Sequence, residues 1–125
     1  MNYIKLIIVV IPLIFFSCES DNFRVVFYRA GFDSQNLDIN VSINGIEKEL
    51  ILKKSVNPNV FEEVYFPLEK NVKKINLKLF ISEENFDYSK EFDFKNNTSL
   101  HINFYTYQDS LQVSTGMIDN DVPIE

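Results

Sequence analysis

The regular alternation of apolar and polar residues is the strongest pattern in this chain. Between residues 37 and 44 apolar side chains occupy the odd positions and polar side chains the even ones, and residues 74–81 repeat the pattern. Leu100, Ile102 and Phe104 extend it near the end of the chain. Because successive side chains of a β-strand point to opposite faces, this period of two predicts strands with one buried face.

A β-hairpin is predicted where the first of these strands ends. Asn44-Gly45 is a strong signal for a two-residue turn, because both residues tolerate positive φ. The chain then returns through the apolar segment 49–53, which we expect to pair with the first strand. Shorter strands are predicted at 23–29, 64–68, 88–94 and 111–114. Turn-rich links separate them at 34–36, 57–59, 69–71, 83–85 and 95–98.

These elements predict an all-β fold, a small antiparallel β-sandwich of Ig-like or transthyretin-like type with about seven or eight strands. Convincing helical periodicity is absent, and only the segments 62–65 and 67–72 have room for a single helical turn. We expect one domain over residues 23–115. Residues 116–125, interrupted by aspartates and a proline, are expected to form a loose C-terminal tail.

The first residues have the pattern of a signal peptide. Lys5 precedes an apolar run from Leu6 to Phe16, and the chain's only cysteine, Cys18, follows closely. A membrane-spanning helix needs roughly twenty apolar residues, so a simple membrane anchor is the weaker interpretation. Cleavage after Ser20 is sterically acceptable, and a plain secreted product therefore stays an alternative.

The segment Phe15-Phe16-Ser17-Cys18 resembles the lipobox of bacterial lipoprotein precursors, in which a small residue precedes the lipidated cysteine. The two phenylalanines depart from the usual pattern. The resemblance implies removal of residues 1–17, fatty acyl chains such as palmitate on Cys18, and a tether over residues 18–22. Two or more acyl chains hold a protein stably on a bilayer. Glu19, in place of the aspartate that signals retention in the inner membrane, implies the outer membrane.

Charge and cysteine content exclude some classes of function. Loss of Lys5 with the signal peptide changes the formal net charge from −6 to −7, and no cluster of basic residues remains. Nucleic-acid binding is therefore not expected, because neutralising phosphates requires clustered Lys and Arg. A single cysteine also excludes an internal disulfide, so the mature domain is expected to be stabilised by packing alone.

Candidate catalytic chemistry is sparse. His101, the only histidine, lies in the polar phase of its strand, and we expect it to be solvated. The motif Gly-x-Ser-x-Gly is absent, and the acidic pairs Glu62-Glu63 and Glu83-Glu84, with Asp87, are expected to be surface residues rather than glycosidase carboxylates. The calcium-loop pattern of an EF-hand and the His and Cys ligands of a zinc site are missing as well. We predict no enzyme activity, no metal and no cofactor.

Three aromatic residues form a candidate binding surface. Phe80, Tyr105 and Tyr107 fall in the outward phase of their strands, where exposed aromatics can stack on sugars or anchor a partner. The strand 100–107 could also accept a partner strand if it lies at a sheet edge. Asp109-Ser110-Leu111 resembles a short O-glycosylation pattern of some Gram-negative envelope proteins, which implies a modified Ser110.

The sequence as a whole therefore predicts an outer-membrane-anchored lipoprotein with a non-catalytic β-sandwich that serves as a binding or assembly module. An envelope protein is the favoured partner. The first alternative is a carbohydrate-binding accessory domain of an uptake system, and an envelope hydrolase ranks last.

Overall fold

The computed structural model describes residues 21–29, 36–53 and 61–120, and the predictions for residues 1–17 and Cys18 lie outside these ranges. The described ranges contain strands and one short 3₁₀ helix, η1. The strands are β1 (Asp21–Arg29), β2 (Leu37–Ile43), β3 (Ile46–Leu52), β4 (Phe61–Leu68), β5 (Lys74–Ile81), β6 (Phe86–Asp93), β7 (Thr98–Tyr107) and β8 (Ser110–Asp119), and η1 covers Ser82–Glu84. The predicted all-β sandwich is confirmed.

The strands form two four-stranded sheets. Sheet I has the order β4-β1-β7-β8, and sheet II has the order β3-β2-β5-β6. All neighbouring strands are antiparallel except β1 and β7, which run parallel from Val25 opposite Leu100 to Arg29 opposite Phe104. The first strand therefore lies inside sheet I, between strands that follow it much later in the chain.

The core lies between the sheets and is built from the alternating apolar residues of both. In β2 and β5 every second side chain is buried, as the sequence predicted. Phe27 and Phe104 stack with ring centroids 6.5 Å apart, and Phe86 meets Phe104 edge to face at 6.3 Å. Such aromatic pairs add to the stabilisation from buried area.

The predicted turn at Asn44-Gly45 joins β2 to β3. Both residues have positive φ, 50° and 86°, as a two-residue hairpin turn requires. The Asn44 side chain also ties the turn to β5: its Oδ1 accepts a hydrogen bond from the Asn76 backbone N–H at 2.7 Å, and its Nδ2 donates to the Lys74 carbonyl at 3.2 Å. Glycine alone could not provide these contacts.

Hydrogen bonds between the sheets link both sides of the sandwich. On one side the Tyr88 and Thr115 hydroxyls, from β6 and β8, are 2.8 Å apart. On the other side the Lys48 ammonium of β3 donates to the Tyr65 carbonyl of β4 at 2.5 Å. The edges of the two sheets are thus held together in pairs.

The structure differs from the sequence prediction in several places. Residues 62–65, which had room for a helical turn, belong to β4, and the helical turn forms instead at η1. Strand β8 continues to Asp119, so residues 116–119 belong to a sheet rather than to a loose tail. Strand β7 is not an edge strand, because β1 and β8 flank it.

Candidate functional site

The outer faces of the two sheets differ in charge. On the outer face of sheet I the charged residues are Arg24 and Glu63, which pair with each other. The outer face of sheet II is rich in charge and carries Asp38, Glu47, Glu49, Lys74, Lys78, Asp87, Glu91 and Asp93. Because charged residues are depleted at the centres of protein interfaces, sheet I presents the better surface for a protein partner.

Large apolar side chains are also exposed on the outer face of sheet I. Tyr65 on β4 is 47% exposed, and Tyr107 on β7 is 62% exposed. Phe61 and Ile118 lie on the same face and are exposed as well. Tyrosines are enriched in interfaces because they bury a large area and still offer a hydroxyl.

A polar network lies near the middle of this face. The Arg24 guanidinium pairs with the Glu63 carboxylate, which also accepts a hydrogen bond from the Tyr65 hydroxyl at 3.1 Å. The hydrogen bond from Arg24 lowers the pKa of Glu63. The Arg24 Nε is buried and has no hydrogen-bond partner among the described residues. The Glu63 carboxylate therefore stays ionised at neutral pH, and one donor of Arg24 is left unused.

Tyr28 and His101 form the second polar contact on the face. The Tyr28 hydroxyl lies 2.9 Å from His101 Nδ1, and the two rings stack with centroids 5.6 Å apart. Only 9% of His101 is exposed, and burial lowers its pKa, with a smaller contribution from the charge of Arg24. Burial also raises the pKa of Tyr28. Both groups are therefore neutral at pH 7.

The expectation of a solvated His101 is thus wrong. Alternation correctly put the side chain on the outer face, but Tyr28 comes from a strand more than seventy residues earlier and could not be anticipated. Ser99, on the same face, donates its hydroxyl hydrogen bond to Asn120 rather than to His101. The hydrogen-bonding contact of His101 on this face is therefore with Tyr28 and not with Ser99.

The three predicted aromatic residues do not form one surface. Phe80 lies on the outer face of sheet II, where it is opposite Asn40 and Asp87, and is 44% exposed. Tyr105 and Tyr107 lie on the outer face of sheet I, and Tyr105 is half-buried. The period of two shows that a side chain points outward, but it does not show which sheet carries it.

A shallow depression lies on the outer face of sheet II, around the paired residues Asn76 of β5 and Glu91 of β6. It has a volume of about 640 Å³, and its lining includes Ser42, Asn76, Lys78, Ser89 and Glu91. Phe80 is two residues beyond Lys78 on the outer side of β5 and is not part of the lining. The hydroxyl, amide and charged groups of the lining can form hydrogen bonds with a sugar.

Ser110 lies where the β7–β8 turn enters β8 and is exposed. The two residues before it, Gln108 and Asp109, have positive φ of 51° and 61°. Ser110 therefore follows a tight two-residue turn, and its hydroxyl oxygen accepts a hydrogen bond from Gln112 Nε2 at 3.3 Å. Cys18 lies outside the described residues.

Sequence reasoning missed Arg24, Tyr28 and Tyr65, and it considered Glu63 only as a surface carboxylate. A usable signal was present in β1, where Arg24, Val26 and Tyr28 alternate with the core residues. The register of β1 against β4 places Arg24 opposite Tyr65 and Val26 opposite Glu63, and no local feature of the sequence predicts this register.

Within the described ranges, no helix is long and apolar enough to cross a membrane, and no group of His, Cys, Asp and Glu side chains could hold a metal ion. Comparisons of the chain with protein-family models, curated proteins and solved structures found no match.

Proposed function

We propose that this protein is a lipid-anchored lipoprotein of the outer membrane whose β-sandwich is a non-catalytic binding module for an envelope protein. The observation that carries the binding role is the contrast between the outer faces. The face of sheet I has exposed aromatics and one internal ion pair, whereas the face of sheet II is densely charged.

The anchor is supported by the sequence around Cys18 and by the start of β1. Strand β1 begins at Asp21, so Glu19 and Ser20 alone separate it from Cys18. A chain spans at most about 3.6 Å per residue, so the start of β1 is at most about 11 Å from the lipidated residue. Lipidation would therefore hold the sandwich close to the bilayer.

Intact-mass measurement of protein from native membranes tests the anchor. We expect a species that begins at Cys18 and carries acyl mass, and we expect Cys18→Ser to lose that mass and leave the membrane fraction. An uncleaved chain, or a soluble product starting near Asp21, would contradict the lipoprotein proposal.

Substitution of exposed tyrosines tests the binding face. Tyr65→Ala and Tyr107→Ala should abolish recovery of the partner in affinity isolation from solubilised outer membranes. Ile51→Ala is the matched control, because Ile51 is 54% exposed on the outer face of sheet II. Equal recovery with all three variants, each checked for folding by circular dichroism, would rule out sheet I as the interface.

Carbohydrate binding is the second candidate function. Two features of the outer face of sheet II favour it, the polar depression around Asn76 and Glu91 and the exposed ring of Phe80. Phe80→Ala should remove binding to immobilised cell-envelope polysaccharide, while Ile51→Ala on the same face should retain it. Absence of polysaccharide binding by the unsubstituted protein would eliminate this candidate.

A further inference from the structure

Strand β8 differs from the other edge strands of the sandwich in its lack of charge. The edges are β4 and β8 in sheet I and β3 and β6 in sheet II. The other three edges carry Glu47, Lys48 and Glu49 on β3, Glu62, Glu63 and Pro67 on β4, and Asp87, Lys90, Glu91 and Asp93 on β6. In β8 the only charged residue is Asp119, the last one.

Charged residues and proline on an edge strand block pairing with another chain, because the unpaired N–H and C=O groups otherwise form a template. Three edges of this sandwich have such protection. Strand β8 pairs with β7 along its whole length, from Thr98 opposite Asp119 to Tyr107 opposite Ser110. No strand pairs with its other side within the described ranges.

The side chains of β8 also suit an added strand. Leu111, Val113 and Met117 point inward, pack against the core and are only half-buried. On the outer side Ser114 and Gly116 are small, and a Cβ atom built at Gly116 meets nothing within 4 Å. An added strand would cover the inward apolar side chains, and at Ser114 and Gly116 it would meet no bulky group on the outer side.

We propose that β8 pairs in antiparallel orientation with β8 of a second copy of this chain, which joins two copies of sheet I into one continuous sheet. A second copy fits because residues 110–118 carry no charge, so two antiparallel β8 strands place no like charges opposite each other over this range. Its inward apolar residues become cross-strand neighbours, which is the main stabilising contact of a sheet. The interface is isologous, the commonest kind in homodimers.

This inference goes beyond the proposed function and does not depend on lipidation. Two anchored copies can still adopt the arrangement on one membrane. The two-fold axis of the pair is perpendicular to sheet I, so it lies along the membrane normal when both tethers reach the same bilayer. Sheet I then runs along the membrane surface.

Single-cysteine cross-linking in intact cells tests the pairing with the full chain. Gln112→Cys, Ser114→Cys and Gly116→Cys place thiols along the outer side of β8. Directly opposite residues in antiparallel strands have Cα atoms about 4.5–5.5 Å apart, within the range of a disulfide. Ser89→Cys is the matched control, since Ser89 is exposed on the outer side of the charged edge β6. The unsubstituted chain controls for Cys18.

We expect disulfide-linked homodimer at one or more of the β8 positions, several-fold above the amount formed by Ser89→Cys. Equal amounts at both edges would overturn the proposal, and so would no dimer at any β8 position. A cross-link to a different protein in place of the homodimer would also overturn it, in favour of a partner strand.

A second variant keeps the test independent of cysteine chemistry. Ser114→Lys introduces the protection that the other edges have, and it should convert the detergent-solubilised dimer to monomer in size-exclusion chromatography with light scattering. Ser89→Lys should leave the dimer intact. A monomeric unsubstituted protein in this assay, or a dimer that survives Ser114→Lys, would refute the pairing. The intact-mass experiment with Cys18→Ser tests only the lipid anchor. Its result does not change the outcomes expected for the β8 pairing.

Discussion

Replacement of Tyr28 by phenylalanine isolates the hydrogen bond between Tyr28 and His101. Tyr28→Phe keeps the ring that stacks on the imidazole and removes only the hydroxyl, which lies 2.9 Å from His101 Nδ1. The imidazole nitrogen is then left in a site where 9% of the residue is exposed. Leaving a buried polar group without its partner costs about 1–3 kcal/mol.

The lower half of that range applies to Tyr28→Phe, because Tyr28 itself is only half-buried and water can reach the site from its side. We expect a loss of about 1–2 kcal/mol in the free energy of unfolding. For a domain of about this size, each kcal/mol lowers the melting temperature by roughly 4–8 °C. Urea unfolding at pH 7.5, followed by circular dichroism, measures the change directly.

A double-mutant cycle separates the hydrogen bond from other effects. His101→Phe removes the polar atom that Tyr28→Phe leaves unsatisfied, so the double variant should be more stable than the sum of the two single effects predicts. The expected coupling is about 1 kcal/mol. Additive effects within about 0.3 kcal/mol would refute the reasoning, as would a Tyr28→Phe variant of unchanged stability.

The protonation of His101, the packing of Phe104 and the positive φ of Gln108 should each have a measurable effect on stability. Burial lowers the pKa of His101 in the folded protein below the ordinary value of 6.5, so the unfolded chain binds this proton at a higher pH than the folded chain. The free energy of unfolding should therefore fall as the pH drops from 6.5 towards the folded pKa. The fall is at most about 1.4 kcal/mol per pH unit. Because the chain has one histidine, the free energy of unfolding in urea should lose this pH dependence between pH 7 and 5 in His101→Phe. An unchanged pH dependence in that variant would show that a group other than His101 causes it. Phe104→Ala removes a fully buried ring that touches Phe27 and Phe86, and should cost about 3–5 kcal/mol in the same assay; a cost below 1 kcal/mol would contradict the packing described. Gln108→Asn should raise the melting temperature by a few degrees, since asparagine tolerates the positive φ of 51° better, and a lowered value would show that the glutamine side chain stabilises the turn.

The sequence predicted the strands whose two faces differ most. Residues 37–44 and 74–81 alternate cleanly because the outer face of sheet II is charged and polar, so the inward residues stand out. Strand β4 was harder to predict, because Phe61 and Tyr65 on its outer side are as apolar as Val64 and Phe66 on its inner side. The end of β8 was missed because Asp119, Asp121 and Pro123 indicated a loose tail from Gly116 onward, although Gly116 extends the ladder opposite His101.

The candidate surfaces depend on the order of strands in each sheet, which the alternation of apolar and polar residues does not reveal. Phe80, Tyr105 and Tyr107 all point outward, but their assignment to different sheets follows from the strand order. Contacts such as that of Tyr28 with His101 join strands from opposite ends of the chain. These contacts are set by the topology, for which a single sequence has no local signal.

The position of β1 in sheet I determines when the domain can complete folding. Sheet II uses strands between Leu37 and Asp93, whereas β1 also needs β7, whose residues 100–104 pair with Val25 to Arg29. Contacts between residues so far apart in sequence form late and slow the folding of a chain. Strand β1 therefore keeps one side unpaired until β7 has been synthesised. A chain truncated before Thr98 would contain every strand of sheet II but not β7. The unpaired side of β1 would then stay free to pair with other chains, which favours aggregation.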